Sequence, residues 1–423
     1  MDTMNAFSWN TRIKEIGGVD VRELVRRYGT PTYVYDASVI RRQMQKLSRF
    51  DAVRYAQKAN SNLSILRLIK EQGGVVDAVS LGEIKRALTA GFSLTGEPPE
   101  IVYTADIFDR PTLQFVAENE VHCNLGSPDM IEQYGQVCPD RSITLRINPG
   151  FGHGHSQKTN TGGPSSKHGI WHESLDECLA LAKRYRLSVS GLHMHIGSGT
   201  DFEHLAQVVD AMETLAQRVG PSLSSISAGG GLPTPYRDGD SELDVDRYFD
   251  LWDAMRNRLA DTFGHAVSLE LEPGRYPVAE SGFLLTEIRA IKEMGENLFY
   301  LVDAGFNNLA RPILYGAFHP MAVCAVSPAS SANVNVVVGG PLCESGDIFT
   351  QTDGGVVQKR VLPKAQVGDI LVIGCAGAYG FVMSSNYNSK PLAAEVLVDE
   401  GNERLIRRRQ TEEEIFQLEE QLA

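Results

Sequence analysis

The sequence lacks any apolar run near the roughly 18 residues a membrane span requires, and its first ten residues, MDTMNAFSWN, lack the basic-then-apolar order of a secretory signal. A cytoplasmic protein is expected. Cysteine is sparse: the six residues (Cys123, Cys138, Cys178, Cys324, Cys343, Cys375) stand far apart and form no C-x-x-C pair. That argues against both a disulfide framework and a structural zinc site. Positive charge is in deficit too, with 40 Lys plus Arg against 53 Asp plus Glu, a net −13, and no dense basic stripe. Neither nucleic acid nor an anionic membrane is then expected as the main partner, which leaves small-molecule chemistry. What remains is an ordinary globular composition of 423 residues, 42% hydrophobic and 22% charged, enough for a sizeable core and two domains.

From about residue 50 to 275 a short β-rich run, a turn and a helical stretch alternate. Eight candidate strands stand out: RYAQKA (54–59), VVDAVS (75–80), IVYTA (101–105), HCNLG (122–126), ITLRINP (143–149), SGLHMHIG (190–197), SISAGG (225–230) and SLELEP (268–273). Segments between them, such as NLSILRLIKEQ (62–72) and DVDRYFDLWDAMRNRLADTFG (244–264), carry apolar residues at i, i+3 and i+4. Eight such units predict a (β/α)8 barrel, with a doubly wound open sheet as the alternative. Beyond Pro273 the pieces LFYLVDAG, VNVVVGGPL, GDILVIG and AAEVLVD predict an all-β second domain. PTYVYD (31–36) precedes the barrel and can pair with those strands, which places the barrel at 37–281 and the β-domain at 1–36 with 282–423. The tail RRRQTEEEIFQLEEQLA reads as a charged, solvated terminal helix. The stretch 150–169, GFGHGHSQKTNTGGPSSKHG, has no apolar period and is long for a βα loop; it is either a lid or a plain insertion.

A barrel of this kind builds its active site at the C-terminal ends of its strands. The unusual polar residues collect there: Lys58; Asp77 and Ser80; Arg146 and Asn148; His193 and His195; Gly229, Gly230 and Gly231; Glu272 with Arg275. A lysine late in a core-like strand is either a snorkelling rim side chain or the desolvated amine that Schiff-base chemistry needs. GGGLP (229–233) is a tight turn or a cradle of unhindered N–H groups for a phosphate. His193 and His195, two apart, face one side of a strand, an arrangement that suits a metal or an imidazole stacked on an aromatic cofactor. EPGR (272–275) offers a local ion pair, or a carboxylate for a protonated ring nitrogen with a guanidinium for a phosphate. GPLCESGD (340–347) sets Cys343, Glu344 and Asp347 within one turn, an exposed loop or a thiol acid/base beside a substrate-reading carboxylate. The functional readings combine into one cofactor, pyridoxal phosphate.

The motifs YAQKANSN, DAVSLGE, HMHIGSG, GGGLP, EPGR, VDAGFNNLARPILY, GPLCESGD and GAYGFVMSSNYN resemble those of the diaminopimelate decarboxylase family, over residues 20 to 412. That family is one of the barrel-type (fold type III, alanine-racemase-like) pyridoxal-phosphate enzymes. The resemblance implies that Lys58 carries the cofactor, His195 stacks on its ring and Glu272 pairs with the ring nitrogen. It implies that Ser198, Gly231, Gly274 and Arg275 surround the phosphate, with Asp77, Gly229 and Gly230 in the same site and Tyr379 closing over it. The family's substrate-reading positions fall on Arg275, Arg311, Tyr315, Glu344 and Tyr379, and its proton donor on Cys343. Cys343 and Glu344 would come from the other subunit of a homodimer. The implied reaction removes the carboxylate at the D-centre of meso-diaminopimelate and leaves L-lysine, with no metal. Two departures stand out: the loop 150–166 is longer than in many relatives and ends with His168 where Phe is frequent, and Pro233 replaces a frequent Gly.

Overall fold

The structure, a computed structural model, describes residues 8–152, 161–197, 202–326 and 331–419. Strands β1 (Ala52–Ala56), β2 (Val75–Ala78), β3 (Ile101–Ala105), β4 (His122–Leu125), β5 (Ser142–Asn148), β6 (Ser188–Met194), β7 (Ser225–Ser227) and β8 (Ser268–Leu271) each pair in parallel with the next. Strand β8 then returns to β1, with Glu270 opposite Ala52 and Leu271 opposite Val53. The barrel is closed, which removes the open-sheet alternative. Helices Leu63–Glu71, Leu81–Ala90, Arg110–Asn119, Pro128–Val137, Leu175–Arg184, Phe202–Val219 and Val245–Phe263 follow β1 to β7 in turn.

Several of these helices start where a polar side chain captures an N–H of the first turn, as Asn62, Ser80, Asp109, Ser127 and Asp244 do. Ser80 is thereby explained. Its hydroxyl accepts from Glu83 N–H, the Glu83 carboxylate accepts from Val79 N–H, and the residue is a helix cap.

The chain divides into two compact units. The barrel unit holds Arg42–Pro233 and Leu243–Tyr276; the other holds residues up to Arg41, Thr234–Glu242 and everything from Pro277. The excursion Thr234–Glu242 lies inside the span that the sequence reading gives to the barrel. In the second unit Thr32–Asp36 lies between Gly282–Met294, antiparallel, and Ala394–Asp399, parallel. Its core gathers Val34, Leu285, Val372, Val396 and Val398, the β-branched and γ-branched residues that fill a pleated face. This β-rich unit also carries the short helices Val21–Tyr28, Arg311–Tyr315 and Glu412–Phe416. The tail is therefore less helical than expected: Arg407 still belongs to strand Asn402–Arg407, and the helix begins only after Thr411, which forms a capping box with Glu414. Among the described residues no helix is long and apolar enough to cross a membrane.

Candidate active site

Lys58 is not on a strand. It sits in the single 3-10 turn Gln57–Ala59 that follows β1, and its side chain is exposed. The chain turns because Gln57 takes the buried position and donates its amide to the Asp77 carbonyl at 3.4 Å, which sends the next side chain outward. Asp77 is buried on β2, His193 is buried on β6, His195 follows β6, Gly229 to Gly231 follow β7, and Glu272 follows β8. The glycines are there for space. A Cβ on Gly229 (φ +63°) would stand 2.1 Å from the Met194 carbonyl oxygen, and one on Gly231 (φ +93°) 2.1 Å from the Gly197 carbonyl oxygen. The same atom on Gly230 would meet the Glu272 carbonyl oxygen at 2.3 Å. Gly230 N–H donates to His195 Nδ1 at 3.2 Å, and Glu272 N–H donates to the Gly229 carbonyl at 2.7 Å. With Nδ1 accepting, the neutral His195 ring carries its proton on Nε2. Gly274 is buried, and Arg275, half-buried, opens the helix Arg275–Val278. Ser198 lies outside the described residues.

Two buried carboxylates share this mouth and behave oppositely. Ser227 Oγ donates to Glu272 Oε1 at 2.9 Å, and His193 Nε2 lies 2.9 Å from Oε2. Burial favours the neutral acid, but His193, the Ser227 hydroxyl and the charge of Arg54 outweigh it and hold Glu272 below the usual carboxylate range. Asp77 is pushed up by burial and by Glu272, against the Thr104 hydroxyl and the Lys58 ammonium. Glu272 is thus the ionised partner and Asp77 the more easily protonated one. Burial, then the nearby charges of Lys58 and Arg146, hold His195 far below the ordinary imidazole value, so it is a neutral flat ring. Among the described residues no group of three or more His, Cys, Asp or Glu is arranged to hold a metal ion.

Asn148, at the end of β5, ties down the described parts of the long loop: its Oδ1 accepts from Gly150 and Gly163 N–H, and its Nδ2 donates to the carbonyls of Gly163 and His168. Asp106, just past β3, places Oδ2 2.5 Å from His168 Nδ1 and accepts Gly169 N–H at 2.9 Å. His168 is therefore an anchored polar residue. The loop residues 153–160 lie outside the described residues.

In the β-rich unit Arg311 is 7% exposed at the start of its short helix. Its Nη1 donates to His319 Nε2 at 3.0 Å and to the Tyr236 hydroxyl at 3.1 Å, while His319 Nδ1 donates to the Gly374 carbonyl at 3.0 Å. The His319 and Tyr236 contacts hold the guanidinium by its Nη1 edge. Tyr315, half-buried, ends the same helix, and Tyr379, half-buried, adopts φ 56°, a left-handed conformation that is costly for a non-glycine residue. Cys343 and Glu344 are exposed on a loop whose internal tie is Asp347: its carboxylate accepts from Phe306 N–H at 2.7 Å and Leu342 N–H at 2.8 Å.

Residues 36–279 match the family described as "Pyridoxal-dependent decarboxylase, pyridoxal binding domain". The chain is 54% identical over 399 residues to the diaminopimelate decarboxylase of Escherichia coli strain K12, covering 94% of this chain and 95% of that one. It is 54% identical over 391 residues to that of Streptomyces coelicolor, covering 92% and 89%. A crystal structure of diaminopimelate decarboxylase matches with TM-score 0.91 at 54% identity, covering 94% of this chain and 95% of that one. The chain belongs to the diaminopimelate decarboxylase family.

Members of this family use pyridoxal phosphate, and the barrel mouth fits that group. It offers a buried carboxylate held ionised, a neutral imidazole, an exposed lysine and three glycines packed where no side chain fits. The Helicobacter pylori diaminopimelate decarboxylase crystallised with L-lysine has the same fold, with TM-score 0.83 at 30% identity over 95% of this chain and 99% of that one. Beyond the residues expected from the sequence, the structure adds Ser227, Arg54, Asp106, Tyr236 and His319. For Ser227 the signal was available: it is a polar residue at the C-terminal end of its strand, directly before the glycine turn, where the site residues collect.

Proposed function

We propose that this chain is a pyridoxal-phosphate-dependent diaminopimelate decarboxylase. It removes the carboxylate at the D-centre of meso-diaminopimelate and yields carbon dioxide and L-lysine, the last step of lysine biosynthesis, in the cytoplasm. The observation that carries the chemistry is Glu272, buried yet held ionised between Ser227 and His193. When bound, pyridoxal phosphate supplies the electron sink for the pair left on the α-carbon as carbon dioxide departs. Lys58 binds the cofactor through Nζ, and Glu272 holds a proton at the ring nitrogen. His195, its ring fixed by the Gly230 N–H, would hold the cofactor through its neutral imidazole. The Gly229 and Gly230 N–H groups donate to Ser227 Oγ and His195 Nδ1 and shape the turn, while Gly231, with Gly274, Arg275, Ser198 and Tyr379, would bind the phosphate and Asp77 would complete the cofactor site.

Arg311, held by Tyr236 and His319, pairs with the carboxylate on the unreacted L-end of the substrate, flanked by Tyr315. Glu344 takes the ammonium of that end and Cys343 returns a proton to the α-carbon, both supplied by the second copy of a homodimer. The 54% identity to the Escherichia coli enzyme supports the substrate, as does the L-lysine in the Helicobacter pylori complex. Lysine presented through its single α-centre, as D-lysine would be, has no second carboxylate at the far end and would leave a buried guanidinium without its counter-charge, so it competes poorly as a substrate. Carbon dioxide release from separate LL, DD and meso isomers, with D-lysine and D-ornithine alongside and chiral analysis of product, tests the reading. Release from the meso isomer alone, giving L-lysine, is expected; turnover of a simple D-amino acid instead would overturn the substrate.

A further inference from the structure

We infer that His193 is a positioning residue that, together with Ser227, sets the orientation and charge of Glu272. The inference rests on the reading of Glu272 as the partner of the cofactor's ring nitrogen. His193 lies on β6 opposite Arg146 of β5 and Ser227 of β7, with the apolar Leu192 and Met194 on either side of it in sequence, both fully buried. An imidazole in that position, 1% exposed, costs free energy unless it finds a polar partner. Its Nε2 stands 2.9 Å from Oε2 of Glu272, within ion-pair distance but off hydrogen-bond alignment, and neither ring nitrogen has an aligned hydrogen-bond partner among the described residues. A carboxylate only accepts, so Nε2 is the nitrogen that carries a proton there.

The geometry triangulates one carboxylate from three strands. Ser227 on β7 holds Oε1, His193 on β6 holds Oε2, and the backbone of Glu272 is fixed after β8 by its own N–H to the Gly229 carbonyl. Rotation of the side chain breaks both contacts at once. The charged and titratable groups around it pull in different directions: Arg54 favours the anion and Asp77 opposes it, with Lys58, Arg146 and His195 also gathered at this mouth. Without His193, burial and Asp77 move Glu272 toward the neutral acid. A neutral acid no longer keeps a proton on a ring nitrogen facing it.

The test uses holoenzyme carrying pyridoxal phosphate labelled with 15N at the ring nitrogen, whose chemical shift reports protonation directly. Wild type and His193→Gln, which keeps an N–H near the same place, should show a protonated nitrogen at neutral pH; His193→Leu should show a deprotonated one. In His193→Leu kcat should fall about 10–100-fold with KM little changed, and His193→Gln should recover most of it. A wild-type shift in His193→Leu overturns the inference, whatever its activity. Should the leucine variant not fold, His193→Asn against His193→Gln decides, because the shorter amide cannot reach Oε2 and should lose the proton that the longer one keeps. Glu272→Gln separates the two levels: a nitrogen still protonated in that variant refutes the assignment of Glu272 itself.

Discussion

Removing the carboxylate of Glu270 tests how the barrel closes. The seam between β8 and β1 has two paired positions, Glu270 with Ala52 and Leu271 with Val53. Arg54 of β1 reinforces it by gripping Glu270 with both edges of its guanidinium, Nε to Oε2 at 2.7 Å and Nη2 to Oε1 at 3.0 Å, and Nη1 donates to the Pro99 carbonyl at 2.7 Å. The side chains are 2% and 14% exposed. Taking away one member of a buried pair strands the other charge, at about 3–5 kcal/mol. A cavity of about 600 Å³ at the N-terminal end of the barrel, lined by Arg54, Glu270, His122 and several serines, lets water reach the stranded guanidinium. The low end, about 3 kcal/mol, is therefore expected for Glu270→Ala. Urea unfolding followed by circular dichroism measures it. A loss below about 0.5 kcal/mol would mean that the pair is already solvated and that the seam does not depend on it.

Burial and the charge of Arg54 push His122 down to about 4. Below its ordinary value of about 6.5 the unfolded chain takes up a proton that the folded chain refuses. Stability should then fall as pH drops from about 6.5 to about 4, by about 3 kcal/mol in all, and His122→Gln should flatten that fall; parallel slopes for the two proteins would refute it. Gly229→Ala places a Cβ 2.1 Å from a carbonyl oxygen at φ +63°, so affinity for pyridoxal phosphate should drop about tenfold or more in a fluorescence titration, whereas unchanged affinity removes the glycines from the phosphate site. Arg311→Lys loses the planar fork and should raise KM for meso-diaminopimelate about 10–100-fold, with His319→Leu giving a smaller rise; an unmoved KM in both would show that Arg311 does not read the substrate. Mixing inactive Lys58→Ala with inactive Cys343→Ala should restore part of the activity, and none despite subunit exchange counts against sites shared between two copies.

The barrel was legible because each strand is a short run bounded by a turn and followed by a segment with helical period, an alternation repeated eight times. The mouth residues were legible because polar groups at the C-terminal ends of such strands have few structural uses. Lys58 was misplaced by a residue pair: RYAQKA alternates like a strand to its end, and nothing local announces that Gln57 turns inward to Asp77. Ser80 stood out as a mouth residue and not as a cap because a cap and a site residue occupy the same place, the first step after a strand. The excursion Thr234–Glu242 was invisible for a different reason. PTPYRDGD reads as a turn wherever it goes, and its destination depends on the hydroxyl of Tyr236 meeting Arg311, a contact 75 residues away in sequence.

Glu270 and Glu272 stand two residues apart, yet one closes the barrel and the other serves its mouth, and Arg54 connects the two roles. It pairs directly with Glu270, and its charge also helps hold Glu272 ionised. Stability and site chemistry should therefore separate when the pair is replaced rather than broken. An Arg54→Met, Glu270→Leu double variant removes both charges without stranding either, a change that is commonly neutral or stabilising by about 1–4 kcal/mol. The same variant deprives Glu272 of a favourable charge while leaving burial and Asp77 in place, so its carboxyl should move upward and the cofactor's ring nitrogen should lose proton occupancy. Glu270→Ala alone makes the opposite pattern: it weakens the fold but leaves the Arg54 charge beside Glu272. The urea midpoint should thus fall in Glu270→Ala alone, and the ring-nitrogen shift should change in the double variant alone. If the double variant keeps a wild-type ring nitrogen, the Arg54 charge is screened from the mouth, and the holding of Glu272 falls to His193 and Ser227 alone.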